Sequence, residues 1–201
     1  MTNSALRTTT TTQLLIALME PGEEDAWIEF DHRYRPVLRG FLYQLGVPAH
    51  VVQEVAHQTL LEFCREYREE KDVRGKGTLG SWLIEIAQRQ AAPARKHARH
   101  HEEGRDLQEP ISDPARLIQL WEQQHEQAIF KRAWDTLCIS SQFEEPTLRA
   151  FELTALRAVP PEEVAQVWEM AIPEVYAART RVSRRLRELA ADLALIYEDS
   201  F

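Results

Sequence analysis

The sequence predicts an all-α protein of two small helical domains joined by a flexible linker. Apolar residues recur at three- and four-residue steps along nearly the whole chain, and no stretch shows the sustained alternation of a β-strand. A polar stretch with Gly104 and Pro110 interrupts this pattern near the middle of the chain. We therefore expect one domain over residues 1–100, a linker over 101–115 and a second domain over 116–201.

Composition excludes several classes of protein. With 44% hydrophobic residues in 201, the chain can build cores, and it contains no apolar run near the roughly 20 residues that span a membrane. Residues 1–12 are polar and lack the apolar segment of a signal peptide. We expect no membrane insertion and a cytoplasmic location, with Cys64 and Cys138 as reduced thiols.

Helical spacing predicts four helices in the first domain. A short one starts near Thr12, and a second follows acidic residues after Gly22, with Pro36 expected to kink or divide it. The third should run over residues 48–69. The fourth carries Trp82, expected in the core, and turns basic towards Pro93, which should bend or fray it.

The second domain should be helical over residues 117–137 and 143–156, with two more helices on either side of residues 170–172. Pro160 and the acidic residues after it favour a helix start, and residues 169–172 would form a turn before the last helix. The sequence therefore predicts a helix-turn-helix without a wing. The buried face of its last helix should comprise Val175, Ala178, Val182, Leu186 and Leu189.

The opposite face of this last helix has the composition of a DNA-recognition surface. Small side chains would let the helix enter the major groove, and arginines could reach guanine edges or phosphates. Arg179 and Arg185 should lie nearer the buried face. The alternative is an ordinary amphipathic helix with solvated arginines. The residues expected to point outward are Tyr176, Ala177, Thr180, Arg181, Arg184 and Arg187.

The net charge of −8 argues against a general nucleic-acid coat, but basic residues cluster over 95–101 and 179–187. An acidic protein with two basic stripes can bind DNA locally, although such stripes are also common on solvated helix faces. We find no motif for a hydrolase or a nucleotide-binding loop, and the histidine spacing does not match a metal site. The sequence therefore predicts no catalytic residues, no metal and no cofactor.

Several segments resemble the extracytoplasmic-function group of sigma factors of bacterial RNA polymerase. VVQEVAHQTLL at 51–61 is similar to the family's core-binding helix, and GKGTLGSWLIEIA at 75–87 is similar to its loop and W-L-x-x-I-A motif. AFELTAL at 150–156, EVA at 163–165 and VYAARTRVSRRLRE at 175–188 resemble the family's C-terminal domain. The resemblance covers residues 12–100 and 116–190.

This resemblance implies a region-2-like first domain and a region-4-like second domain, which together direct core polymerase to promoter DNA. It implies that the last helix reads the upstream promoter element and that the first domain meets the downstream element. An anti-sigma factor or another regulator would be a further partner. The residues implied for polymerase are His57, Gln58, Leu61 and Glu62, and those implied for the downstream element are Lys76, Arg89, Arg95, Lys96 and Arg99.

Three positions depart from the family pattern. Arg89 replaces the usual asparagine, Pro93 the usual aspartate and His57 the common glutamine. The resemblance implies that Arg89 and Pro93 lie in the region that separates the promoter strands and that His57 lies in the core-binding helix. The alternatives are a sigma-like helix-turn-helix regulator or interaction module that has lost promoter melting, and a helical adaptor that does not bind DNA.

Overall fold

The computed structural model describes residues 9–20, 22, 24–69, 77–101, 111–140 and 142–197, with side chains up to residue 98 in the segment that ends at 101. Every regular element in these ranges is a helix, so the predicted all-α class is confirmed. None of the described helices is long and apolar enough to cross a membrane.

The first compact unit runs to Ala128 and also includes Ile196 and Tyr197 near the end of the chain. Its first four helices are Thr11–Met19 (α1), Glu24–Gln44 (α2), Ala49–Glu69 (α3) and Leu79–His101 (α4). Helix α2 packs against α1 and α3, and α3 packs against α4, around one hydrophobic core. Leu14, Leu15 and Leu18 of α1 are buried in this core, as their helical spacing predicts.

Short polar side chains and one glycine set the ends of these helices. The Thr10 hydroxyl accepts from the backbone N–H of Gln13, whose side chain accepts from the backbone N–H of Thr10, and this reciprocal pair begins α1. The Thr78 hydroxyl accepts from the N–H of Ser81 and begins α4. Gly46 follows α2 at φ 81°, a left-handed conformation that glycine adopts without steric cost.

Prolines inside two helices do not end them. Helix α2 continues through Pro36, so the predicted division at this residue does not occur. Val37 and Leu38, directly after it, are buried in the core and hold the helix in place. Helix α4 likewise continues eight residues beyond Pro93, to His101.

The second compact unit comprises residues from Ile129 to Leu195. The remaining helices are Pro114–Ile139 (α5), Glu145–Phe151 (α6), Pro161–Val167 (α7) and Ile172–Ile196 (α8). A π-helical segment, Glu152–Leu156, continues α6 directly. Two small apolar clusters lie within the second unit: one joins the end of α5 to α6 and α8, and the other joins α6, α7 and the start of α8.

The division between the units falls inside α5, after Ala128, and not in the predicted linker over residues 101–115. Leu117 and Trp121 explain the difference, because both are buried in the core of the first unit. The Trp121 ring lies edge-on to that of Phe41, at a centroid distance of 5.8 Å. The first half of α5 is therefore part of the first unit. Residues 102–110 of the linker lie outside the described residues.

Candidate nucleic-acid interface

A tight turn joins α7 to α8 in the second unit. Glu169 occupies the left-handed region at φ 50°, although it is not a glycine. The N–H of Trp168 donates to the carbonyl of Val164 at 3.0 Å, and the N–H of Met170 donates to that of Ala165, also at 3.0 Å. These bonds satisfy two of the last four carbonyls of α7, those of Val164 and Ala165.

Glu174 caps the start of α8 from inside the helix. Its Oε2 accepts a 2.8 Å hydrogen bond from the backbone N–H of Ala171, the residue before the helix. The residue before the helix, Ala171, has no side chain that could cap it. A glutamate at the third helical position instead satisfies one of the unpaired N–H groups at the start of the helix. The sequence held this signal three residues beyond the N-cap.

The buried face of α8 agrees with the prediction. Val175 and Ala178 pack into the cluster shared with α6 and α7, while Val182 and Leu186 pack into the cluster shared with α5. Leu189 packs partly buried against the second of these clusters. These two clusters hold α8 to the rest of the second unit.

All six residues predicted to point outward on α8 are exposed. Arg179, predicted to lie nearer the buried face, is exposed as well. Arg185 is half-buried, and its guanidinium donates to Gln142 at 3.0 Å and to Glu188 at 3.1 Å.

Four arginines on α8 present their charge to solvent. Within the described part of the chain, no ion pair involves Arg179, Arg181, Arg184 or Arg187, in contrast to Arg185. Thr180 donates its hydroxyl proton to the backbone carbonyl of Tyr176 at 3.0 Å, which keeps that side chain close to the helix. The result is a face with small side chains and uncompensated guanidinium groups.

The cations predicted on α4 are only partly available. Arg89 and Lys96 are exposed and lie seven residues apart on one face of the helix, while Arg95 is half-buried. Lys76 and the side chain of Arg99 lie outside the described residues. Arg89 also forms ion pairs with Glu66 and, at 3.5 Å, with Glu85.

Trp82 lies in the core, as predicted, with 2% of its surface exposed. Its indole Nε1 donates a 2.7 Å hydrogen bond to Glu66 Oε2, and Glu66 Oε1 accepts from Arg89. Glu66 is not among the residues predicted from the sequence. No local pattern could reveal its role, because Glu66 belongs to α3 and both partners belong to α4.

The predicted polymerase-binding residues on α3 differ in their surroundings. Gln58 and Leu61 are exposed, Glu62 is half-buried, and Leu61 presents 42% of its surface. His57 is half-buried, and its Nδ1 lies 3.2 Å from a guanidinium nitrogen of Arg35 on α2. His57 therefore links α3 to α2, while Gln58 and Leu61 remain accessible to a partner.

No protein-family model matches the sequence, and no curated protein matches it significantly. The second unit offers an exposed arginine face on a helix that follows a tight turn. The first unit offers a smaller cationic face on α4 and an exposed face on α3 that includes a leucine.

Proposed function

We propose that this protein is an alternative sigma factor that resembles the extracytoplasmic-function group and directs bacterial core RNA polymerase to promoter DNA. The observation that carries the proposal is the exposed face of α8, where Arg181 and Arg184 stand one turn apart without a carboxylate partner among the described residues. In this role α8 enters the major groove at the upstream promoter element.

The chemistry of the α8 face supports DNA as its ligand. A guanidinium donates two parallel hydrogen bonds to guanine O6 and N7 or to a phosphate. Ala177 and Thr180 are small enough to let the backbone approach the base edges. Lysine-rich solvated faces lack this combination of planar donors and small residues, so the α8 face fits direct reading of sequence.

The α3 face supports polymerase as the second ligand. Leu61 is an apolar side chain exposed beside Gln58, whose amide donates to Glu54 at 2.8 Å. A mixed apolar and polar face of this kind suits docking on a helical surface of another protein. In the proposed function, this face binds core polymerase and the first unit reaches the downstream element.

Run-off transcription tests the proposal. Purified chain is added to bacterial core RNA polymerase on genomic fragments, and we expect transcripts that depend on the chain. Leu61→Asp should abolish both the transcripts and co-purification with core polymerase. The matched control is Ile16→Asp on α1, since Ile16 is 59% exposed and lies outside the predicted contact surface. Absence of both transcripts and core binding would overturn the proposal.

One observation favours a second candidate, a sigma-like regulator without promoter melting. Arg89 stands where the resembling family has asparagine, and its guanidinium contacts Glu66 and Glu85. A regulator of this kind would bind duplex DNA through α8 but leave the duplex closed. Permanganate footprinting of thymines separates the candidates, because only a melting factor makes them reactive in a complex with polymerase.

A further inference from the structure

Glu66 lies between a buried tryptophan and an exposed arginine. One carboxylate oxygen accepts from the Trp82 indole, and the other accepts from the Arg89 guanidinium. We propose that Glu66 is an intramolecular competitor for Arg89, which it holds in the free chain and releases to a backbone phosphate of single-stranded DNA. The inference rests on the proposed function, since that function brings an opened strand to α4.

Trp82 fixes the position of Glu66. The indole lies edge-on to Phe63 at 5.2 Å and to Tyr67 at 6.2 Å, within the core of the first unit. A buried indole N–H can only donate and requires an acceptor, and Glu66 Oε2 supplies it at 2.7 Å. The carboxylate is therefore anchored at one oxygen by a residue that packing holds still.

Arg89 is the partner that can exchange. Its side chain is 49% exposed, whereas that of Glu66 is 24% exposed. An ion pair at such an exposed guanidinium contributes little free energy in water, so a competing ligand can displace the carboxylate. A phosphate accepts the same charge-assisted hydrogen bonds as a carboxylate, and it can take two from one guanidinium.

Carboxylates occupy the guanidinium of Arg89 until exchange occurs. Arg89 forms ion pairs with two carboxylates, those of Glu66 and Glu85, so a phosphate reaches this guanidinium only by competing with them. Binding can begin at another cation, such as the exposed Lys96. Glu66 would thus weaken binding to any single strand that other contacts do not already hold.

Glu66→Gln tests the proposal because it removes the charge and retains an oxygen that accepts from Trp82. The measurement is fluorescence anisotropy of labelled oligothymidylate with the full chain, at several salt concentrations. We expect Glu66→Gln to tighten binding about fivefold at low salt, the upper range for loss of one exposed ion pair. In an Arg89→Ala background the same change should have little effect, because the competition acts through Arg89.

Two outcomes would overturn the proposal. Equal tightening with and without Arg89 would mean that Glu66 only repels DNA by its charge, and no tightening would mean that it only supports Trp82. Glu54→Gln removes the same charge from α3 about 18 Å along the helix and controls for net charge. Thermal unfolding checks that each variant folds. If Glu66→Gln tightens binding of oligothymidylate through Arg89 but the chain does not support run-off transcription, the proposed sigma function is wrong and the competition between Glu66 and DNA still holds.

Discussion

The guanidinium of Arg33 lies 5.3 Å from the ring centroid of Tyr197, and both side chains are buried. The carbonyl of Ile196, the residue before Tyr197, accepts from Arg33 at 3.5 Å and from the Thr11 hydroxyl at 3.1 Å. These contacts explain why the chain returns to the first unit after Leu195. The C-terminal end of α8 is therefore a structural part of the first unit.

Truncation of this C-terminal aromatic residue should destabilise the first unit. Tyr197→Ala removes a ring that is 2% exposed and packs near Tyr34 and His125, so we expect a loss of about 3 kcal/mol in the free energy of unfolding. Leu195→Ala is the matched control, because Leu195 is 64% exposed and its loss should cost little. Urea denaturation measures both. Equal effects would mean that the tail is not docked in solution.

The buried pair of Arg33 and Glu29, at 2.7 Å, predicts strongly non-additive effects. Arg33→Met alone removes the guanidinium that pairs with the buried carboxylate of Glu29 and should cost about 3–5 kcal/mol of stability. Arg33→Met with Glu29→Met removes both charges and should recover part of that loss, because the contacts of Arg33 with Tyr197 and Ile196 are lost in both variants. Additive losses in the double-mutant cycle would show that the pair is not coupled.

His125 should make the first unit sensitive to mild acid. Burial lowers the pKa of His125 below its ordinary value of 6.5, against a smaller opposing effect of Glu126. The neutral form is thus favoured in the folded state, so stability is complete above about pH 6.5 and falls as pH decreases from there towards the folded-state pKa.

The measurement for His125 is the free energy of unfolding from about pH 7 to pH 5. His125→Gln should flatten the dependence on pH, whereas His50→Gln, at an exposed histidine, should leave it unchanged. An equal slope in the wild type and in His125→Gln would assign the acid sensitivity to other groups.

The turn before α8 predicts a stabilising substitution. Glu169 adopts φ 50°, which costs a residue with a Cβ atom about 1–2 kcal/mol, and glycine avoids this cost. Allowing for the greater freedom of glycine in the unfolded chain, we expect Glu169→Gly to stabilise the second unit by about 0.5–1 kcal/mol. Gln166→Gly, at an exposed helical position three residues earlier, should destabilise it instead. A lower melting temperature for Glu169→Gly would count against the left-handed turn.

Under the proposed function, the arginines of α8 should differ in their effect on promoter binding. Arg181→Ala or Arg184→Ala should cost about 1–3 kcal/mol and relax specificity at one base pair if the side chain contacts guanine. A phosphate contact would instead weaken binding evenly and reduce the salt slope by about one unit. Arg185→Ala is the control, since Gln142 and Glu188 already hold that guanidinium. The measurement is the affinity of the holoenzyme for promoter DNA at several salt concentrations. If none of the three substitutions changes this affinity, α8 is not the recognition helix.

Local sequence was sufficient for the helices and for the two faces of α8. Apolar side chains three and four residues apart share one side of a helix, so Val175 and Val182 had to face inward and Arg184 outward. The capping of α8 by Glu174 could also have been found locally. These features depend on neighbours within a few residues, which periodicity and capping rules describe.

Only the tertiary structure revealed the contacts between residues far apart in the chain. Arg33 meets the carbonyl of Ile196 across 163 positions, and Arg89 meets Glu66 across 23. Such pairs depend on which helices pack together, and side-chain periodicity specifies that a face is buried but not what covers it. For the same reason, the polar stretch near Gly104 could not reveal that Trp121 is buried in the first unit. It therefore could not reveal that the two units divide inside α5.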